Sequence, residues 1–407
     1  MANQLIDVTT YQRAELALLR NSYVYVAKAN TKYKNPQSFT GNLGDSIDFD
    51  LPIKQVANRN SLVVPAFDPV IQRKQTLTVD QPITVANAYT AQERIFNVDM
   101  FMNDIGKSAM AELGDGIEAN VALNNVSHTY RTFNDGTTDI TSFQQLAQAA
   151  ADYRNTGAPK GNLCGIIPDI KAPAIIGNGL NQFVLDRNER QFMSWELGSF
   201  ARVDWHTSNL CPTHIAGTVG QDQATLTVVS INAAGTQLTL SGAGASDADA
   251  IKENDVLTFQ DSGGVIRFLT EHGHQTSQQK VQVRATADAG SDGAGQVVVD
   301  IFPALNSTVG DALQNINTPV VAGMELIPAQ SHIAGLLFYQ PALMLGMPRL
   351  PDQSPFATAN EIDEESGISM RLTYGSKLGE NQTGFIHDAI WGSTLVDECA
   401  QRLAFAL

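Results

Sequence analysis

The residues that could do chemistry in this 407-residue chain are few and poorly spaced for it. The densest group is Glu271-His272-Gly273-His274. A zinc site needs about four nitrogen, sulfur or oxygen ligands, usually arriving as spaced pairs. Two histidines at i, i+2 with no cysteine partner fit a solvated loop better. His387-Asp388, close to Trp391, has the residue types of an acid–base pair, but no nucleophile stands at a recognisable motif distance. It reads as a strand residue beside an ordinary carboxylate. Asp247, Asp249, Glu253 and Asp255 could offer hard oxygen ligands to Ca²⁺, yet lack the spacing and glycine of an EF-hand loop. A solvated acidic loop is the simpler reading. No glycine-rich phosphate loop ending in Lys-Ser/Thr and no Gly-x-Ser-x-Gly elbow is present. These residues predict no catalytic site, no cofactor and no metal.

Charge and cysteine usage narrow the classes further. Asp and Glu number 42 against 26 Lys and Arg, for a formal charge of −16. That disfavours a binder that works by neutralising phosphates. It suits solubility, and a surface that lies beside DNA without adhering to it. Cys164, Cys211 and Cys399 are far apart, which suggests a reducing compartment and no disulfide framework. Met1-Ala2-Asn3-Gln4 leads into no apolar signal region, and no apolar run is long enough to span a membrane.

Positioning falls to one long stretch, 90–131. Thr90 followed by Glu93 is a capping-box signature, with a second possible start near Asn97-Val98-Asp99. The apolar ladder Phe101, Ile105, Ala109, Leu113, Ile117, Val121 steps by four. Each step overshoots a turn by about 40°, so the stripe winds around the helix and needs different neighbours along its length. Gly106, Gly114 and Gly116 leave two readings open: a continuous spine with a bend or a close approach, or two core helices broken near Gly114-Asp115-Gly116.

Before that stretch, Thr9 or Thr10 can cap a short amphipathic helix carrying Ala14, Leu16 and Leu19. Tyr23-Val24-Tyr25-Val26 is strand-like by composition. Residues 37–89 read as a long two-stranded excursion. Gly44-Asp45 turns into the alternating Ser46–Pro52 run, and Thr76-Leu77-Thr78-Val79-Asp80 returns, with Ile83-Thr84-Val85 after Pro82. Between them lies a mixed-charge tip with Lys54, Arg59, Asp68, Arg73 and Lys74. A tip of that length buries little by itself and is usually functional or partner-bound. After the spine, Ser142 caps a helix, 161–170 is a buried strand, and 190–212 mixes helix and loop. This is α+β texture. From 213 to 319 it gives way to six short β-rich runs separated by Gly, Ser, Asp and Asn, a small barrel or sandwich inserted into the α+β domain. Mixed structure resumes over 320–407, with strands at 336–342, 369–374 and 384–392 and an exposed acidic loop at 361–365.

Four of these features, in this order, resemble the major capsid proteins of tailed bacteriophages, the fold named after phage Hong Kong 97. They are the Gly44-Asp45…Leu51-Pro52 hairpin, the returning 76–80 strand, the Thr90…Glu93-capped helix and the closing strand at 385–392. With the insertion at 213–319, the chain looks most like coat proteins of short-tailed phages infecting Salmonella. The resemblance implies an N-terminal arm (1–36), an extended loop (37–89) and the spine helix of a peripheral domain (90–131). It also implies an axial domain from 132–212, the inserted β domain, and an axial and peripheral remainder from 320–407. Tyr23, Arg59, Asp68, Arg73 and Lys74 are then intersubunit contacts, and Ile105, Leu113, Ile117 and Val121 the spine core. The implied partners are copies of the chain in hexamers and pentamers, a separate scaffolding protein, a portal protein and packaged double-stranded DNA bound without sequence preference. The implied location is the virion, assembled in the host cytoplasm. Some relatives cross-link a Lys to an Asn, but no residues here identify such a pair. A cell-envelope or adhesin-like binding protein with a β-rich module is the alternative, which a secretion signal would favour.

Overall fold

The computed structural model describes residues 23–31, 44–55, 72–90, 107–179, 197–271, 273–352, 357–362, 368–377 and 382–407. It divides into two compact units, each assembled from separate stretches of chain.

The first unit comprises Met1–Phe49, Lys74–Asn124 and Pro341–Leu395. Its sheet is organised by the fourteen-residue strand Gln382–Leu395. One edge of that strand pairs with Ser369–Lys377, which in turn pairs with Ala357–Ile362. The other edge takes Gln81–Thr90, and its last residues take Leu343–Gly346. Residues 387–391 are buried without alternation, as expected of a strand covered on both faces. Glu361 and Ile362 end a strand, so the acidic run 361–365 does not begin as a loop.

Lys107–Ser127 forms one uninterrupted helix of 21 residues, about 31 Å long. Gly114 and Gly116 lie inside it, so the break near them does not occur. Gly116 is a close approach instead: a β-carbon there would stand 2.5 Å from Ile83 Cδ1 on the neighbouring strand. The predicted start at Thr90 is corrected. Thr90 ends a strand, paired with Gln382 across the sheet, and 91–106 lie outside the described residues. A local capping signature cannot outweigh a ladder of backbone hydrogen bonds to a strand some 290 positions away.

Tyr23-Val24-Tyr25-Val26 is corrected as well: Tyr25–Lys28 is a single helical turn. The cause is Glu118 on the long helix. Its carboxylate accepts the consecutive backbone N–H groups of Val24 (2.6 Å), Tyr25 and Val26 (3.1 Å). Successive N–H groups of a strand point to opposite sides and could not converge in this way.

The second unit comprises Asp50–Arg73, Asn125–Gln340 and Val396–Leu407. Its seven-stranded sheet runs Thr132–Phe133, Ala400–Ala406, His332–Tyr339, Leu163–Pro168, Val203–Ser208, Gly198–Phe200, with Thr213–His214 joined to His332–Tyr339. The helix Phe143–Asn155 starts at the expected Ser142, whose side chain and that of Gln145 form a reciprocal capping box. Its face of Leu146, Ala150 and Tyr153 packs in one core with Ile167, Trp205 and Phe405.

The same unit holds a closed six-stranded barrel. In order around the barrel the strands are Gln237–Ser241, Gln296–Phe302, Gln282–Ala285, Val256–Phe259, Glu325–Pro328 and Leu226–Ile231. Gln296–Phe302 alternates strictly, with Val297, Val299 and Ile301 inward. The boundary at 319 is corrected, because Glu325–Pro328 closes the barrel between Val256–Phe259 and Leu226–Ile231. Arg267–Leu269, expected in the barrel, pairs with Thr276–Lys280 as a separate ribbon.

Candidate functional site

The extended hairpin is the feature whose side chains could act outside the fold. Ser46–Asp50 pairs with Lys74–Thr78, and within these strands only Leu77 is buried. Gly44 takes φ +92°, and its N–H bonds to Val79 O at 2.7 Å, setting the entry turn. Lys74 sits exposed on the ribbon, 3.4 Å from Asp48. Arg59 and Asp68, at the tip, lie outside the described residues, as does Ile105.

Arg73, just before the returning strand, belongs to the second unit. Its Nη1 donates to Glu398 Oε1 at 2.6 Å and its Nη2 to Oε2 at 3.1 Å. Lys54, on the outgoing leg, reaches the same Glu398 at 2.8 Å and Glu271 Oε2 at 2.6 Å. Arg131, 4% exposed, donates to Glu271 Oε1 at 3.1 Å and to the Glu398 backbone carbonyl at 2.9 Å. Its guanidinium lies over the rings of Tyr130 and Phe268. Burial would raise the Glu398 carboxyl, but the hydrogen bond from Arg73 and the charge and hydrogen bond of Lys54 outweigh it and hold it at about 2. The adjacent Asp397 is pushed up to about 7 by burial, against the pull of Arg284. Burial also raises the Cys399 thiol to about 11. Of this cluster, sequence reading singled out only Lys54 and Arg73; Arg131, Glu271 and Glu398 join it from positions distant in sequence.

The arm and spine are positioned in the first unit. Tyr23 is buried, and its hydroxyl is held above its ordinary range by burial and by the charge of Glu118. Leu113, Ile117 and Val121 are fully buried along the long helix, while Leu123 on the same helix is 52% exposed. Trp391 Nε1 donates to Asn120 of that helix at 3.2 Å.

The end of the helix is held within the second unit by Arg402, a fully buried side chain that carries no sequence signal. It donates to the carbonyls of Ser127, Thr129 (3.1 Å) and Asn254 (3.3 Å). A cation there meets the negative end of the helix dipole.

The remaining candidates for chemistry resolve into packing. Asp388 is ion-paired with Arg371 at 2.6 Å and accepts from Thr84 at 2.9 Å. Asp255 is not solvated: it is 1% exposed and lies 2.7 Å from His214 Nε2. Its other oxygen accepts the N–H groups of Gly217 and Lys252. His332, buried nearby, is held neutral, its imidazole depressed to about 3 by burial and by the charge of Arg402. His272 lies outside the described residues. Among the described residues no group of three His, Cys, Asp or Glu could hold a metal ion, and no helix is long and apolar enough to cross a membrane.

No protein-family model matches the chain, and no curated protein matches it. Solved structures do. The chain is similar to one from Mycobacterium phage Che8 at 8% identity and a TM-score of 0.46, over 93% of this chain and 90% of that one. The capsid of Ralstonia phage GP4 is similar at 8% identity and 0.43, over 94% and 88%. The capsid of cyanophage P-SCSP1u is similar at 11% identity and 0.42, over 93% and 89%. Backbone likeness at these scores is loose.

Proposed function

We propose that this chain is the coat subunit of a tailed-phage shell with the Hong Kong 97-type fold, self-assembling into an icosahedral container for double-stranded DNA. The observation that carries the reading is the hairpin. Its strands bury one residue, Leu77, at home, yet beyond them, on the side of the tip, both legs are fastened by charge-assisted hydrogen bonds. One face of the ribbon packs through Leu77 and Phe49 against Ile390 and Met344; the other, with Ser46, Asp48, Asp50, Lys74, Thr76 and Thr78, is exposed and fits a neighbouring copy as its partner. The arm docked through Glu118, the long spine helix and the barrel within the second unit follow the anatomy of that fold in order. The barrel supports the finer reading, a coat protein of the type found in short-tailed Salmonella phages.

The mechanism is association through many weak contacts, cooperative once a closed shell forms. Hexamers and pentamers of the chain are the assembly units, with a scaffolding protein and a portal protein as accessory partners. The net charge of −16 keeps packaged DNA from adhering to the shell wall.

Negative-stain microscopy of purified chain, alone and after co-expression with its candidate scaffolding protein, should show shells or capsomer-sized rings. Deleting 56–71 should leave the thermal melt unchanged and abolish shells. A chain that gives no particles under any of these conditions refutes the coat reading, and normal shells from the deletion variant refute the role given to the hairpin.

A further inference from the structure

The five charges just beyond the hairpin strands, on the side of the tip, form a network with a definite logic. Among the described residues, Glu398 is the carboxylate that bridges both legs, taking Lys54 from one and Arg73 from the other. The legs are also tied to each other by the Leu51 N–H bond to Arg73 O at 2.9 Å. Glu271, from the ribbon beside the barrel, takes Lys54 and Arg131, and its own N–H bonds to Thr156 O at 3.0 Å. Lys54 is therefore shared between two carboxylates that belong to different parts of the second unit. The side chains of Lys54 and Glu271 are 18% and 13% exposed. That separates them from solvent-exposed surface pairs, which contribute little.

We infer that this knot is a conformational device that fixes the direction of the extended hairpin, and that the inserted β region, through Glu271, is part of the hairpin's anchorage and not an independent appendage. Three cations, Arg131 buried and Lys54 and Arg73 partly buried, surround two carboxylates, so neutralising either carboxylate leaves poorly solvated positive charges facing one another. The two carboxylates are not equivalent. Glu398 controls both legs, whereas Glu271 controls the outgoing leg and its link to Arg131. Arg131 keeps its bond to the Glu398 carbonyl in either case.

Hydrogen exchange on the purified, unassembled full chain tests this, and its outcome does not depend on whether shells form. Glu398→Gln should raise exchange at least about tenfold, or 1.4 kcal/mol, in peptides covering 50–55 and 72–78, with Gln296–Phe302 of the barrel unchanged. Glu271→Gln should raise exchange in 50–55 more than in 72–78. Combining Glu398→Gln with Arg73→Gln should add less than the sum of the two, because both remove the same bond. Where Glu398→Gln does not fold, Arg73→Gln alone should raise exchange in the returning leg. Unchanged exchange in both legs of a folded Glu398→Gln or Arg73→Gln variant overturns the knot. Unchanged exchange in 50–55 of Glu271→Gln overturns the participation of the inserted region.

Discussion

Two leucines on the long helix provide an internally controlled test of its place in the first unit. Leu113 is fully buried and Leu123 is 52% exposed, ten residues apart on one helix. Replacing each with alanine changes helix propensity by the same small amount. The difference between the two variants therefore reports burial alone. Leu113→Ala should cost about 2–5 kcal/mol, the range for a buried leucine that leaves a cavity. Leu123→Ala loses about half of a leucine's burial, or roughly 1 kcal/mol. The expected gap is about 1–4 kcal/mol. Trp391 reports on the right unit, because its indole bonds to Asn120 of the same helix. With Trp195 and Trp205 replaced by phenylalanine, urea melts followed by fluorescence read the first unit alone. At a slope of about 2 kcal/mol per molar urea, the Leu113→Ala midpoint should fall by about 1–2.5 M. Equal midpoints for the two variants, at unchanged slope, would refute the helix as the core of that unit.

Three other perturbations have definite expectations. Glu118→Ala removes the acceptor of three backbone N–H groups, so limited proteolysis between Tyr23 and Asn30 should accelerate about tenfold or more, each lost charge-assisted bond contributing about 1.5–3 kcal/mol before carboxylate desolvation is recovered. Asp397 is held at about 7 against an ordinary 3.8, so its contribution to stability is complete below pH 3.8 and is lost as pH rises through 7. Asp397→Asn should flatten that loss, by up to about 4 kcal/mol between pH 4 and 7.5. The comparison must be between variant and parent chain, since His332, depressed to about 3, has the opposite slope and loses stability as pH falls below 6.5. For the barrel, a fragment spanning 213–319 lacks the closing strand Glu325–Pro328 and should show no cooperative melt, while 213–330 should melt cooperatively. Identical melts would place closure elsewhere.

Local chemistry by itself settled several elements. Ser142 with Gln145 started a helix as its capping box dictates, the alternation of 46–50 and 76–78 produced the hairpin strands, and the glycine-punctuated β runs produced a closed barrel. The four-residue ladder placed Leu113, Ile117 and Val121 inside. In each case the signal lies within a few residues, where side-chain period and capping act directly on the backbone. Tertiary structure decided the rest. Thr90 carries a helix-start signature but ends a strand because Gln382 offers it a ladder. Tyr23–Val26 has strand composition but turns helical because a carboxylate 92 to 94 residues away gathers its N–H groups. The carboxy-terminal strand Ala400–Ala406 sits between two partners and reads as a continuous apolar run interrupted by Gln401 and Arg402. Those two are buried because distant carbonyls and strands surround them, among them Ser127, Thr129 and Asn254 for Arg402. Asp255 and Glu398 have ordinary local sequence, and only folding brings His214 to one and both hairpin legs to the other. A side chain's charge state and partners depend on what the fold packs within a few ångströms of it, and sequence neighbours supply only part of that surrounding.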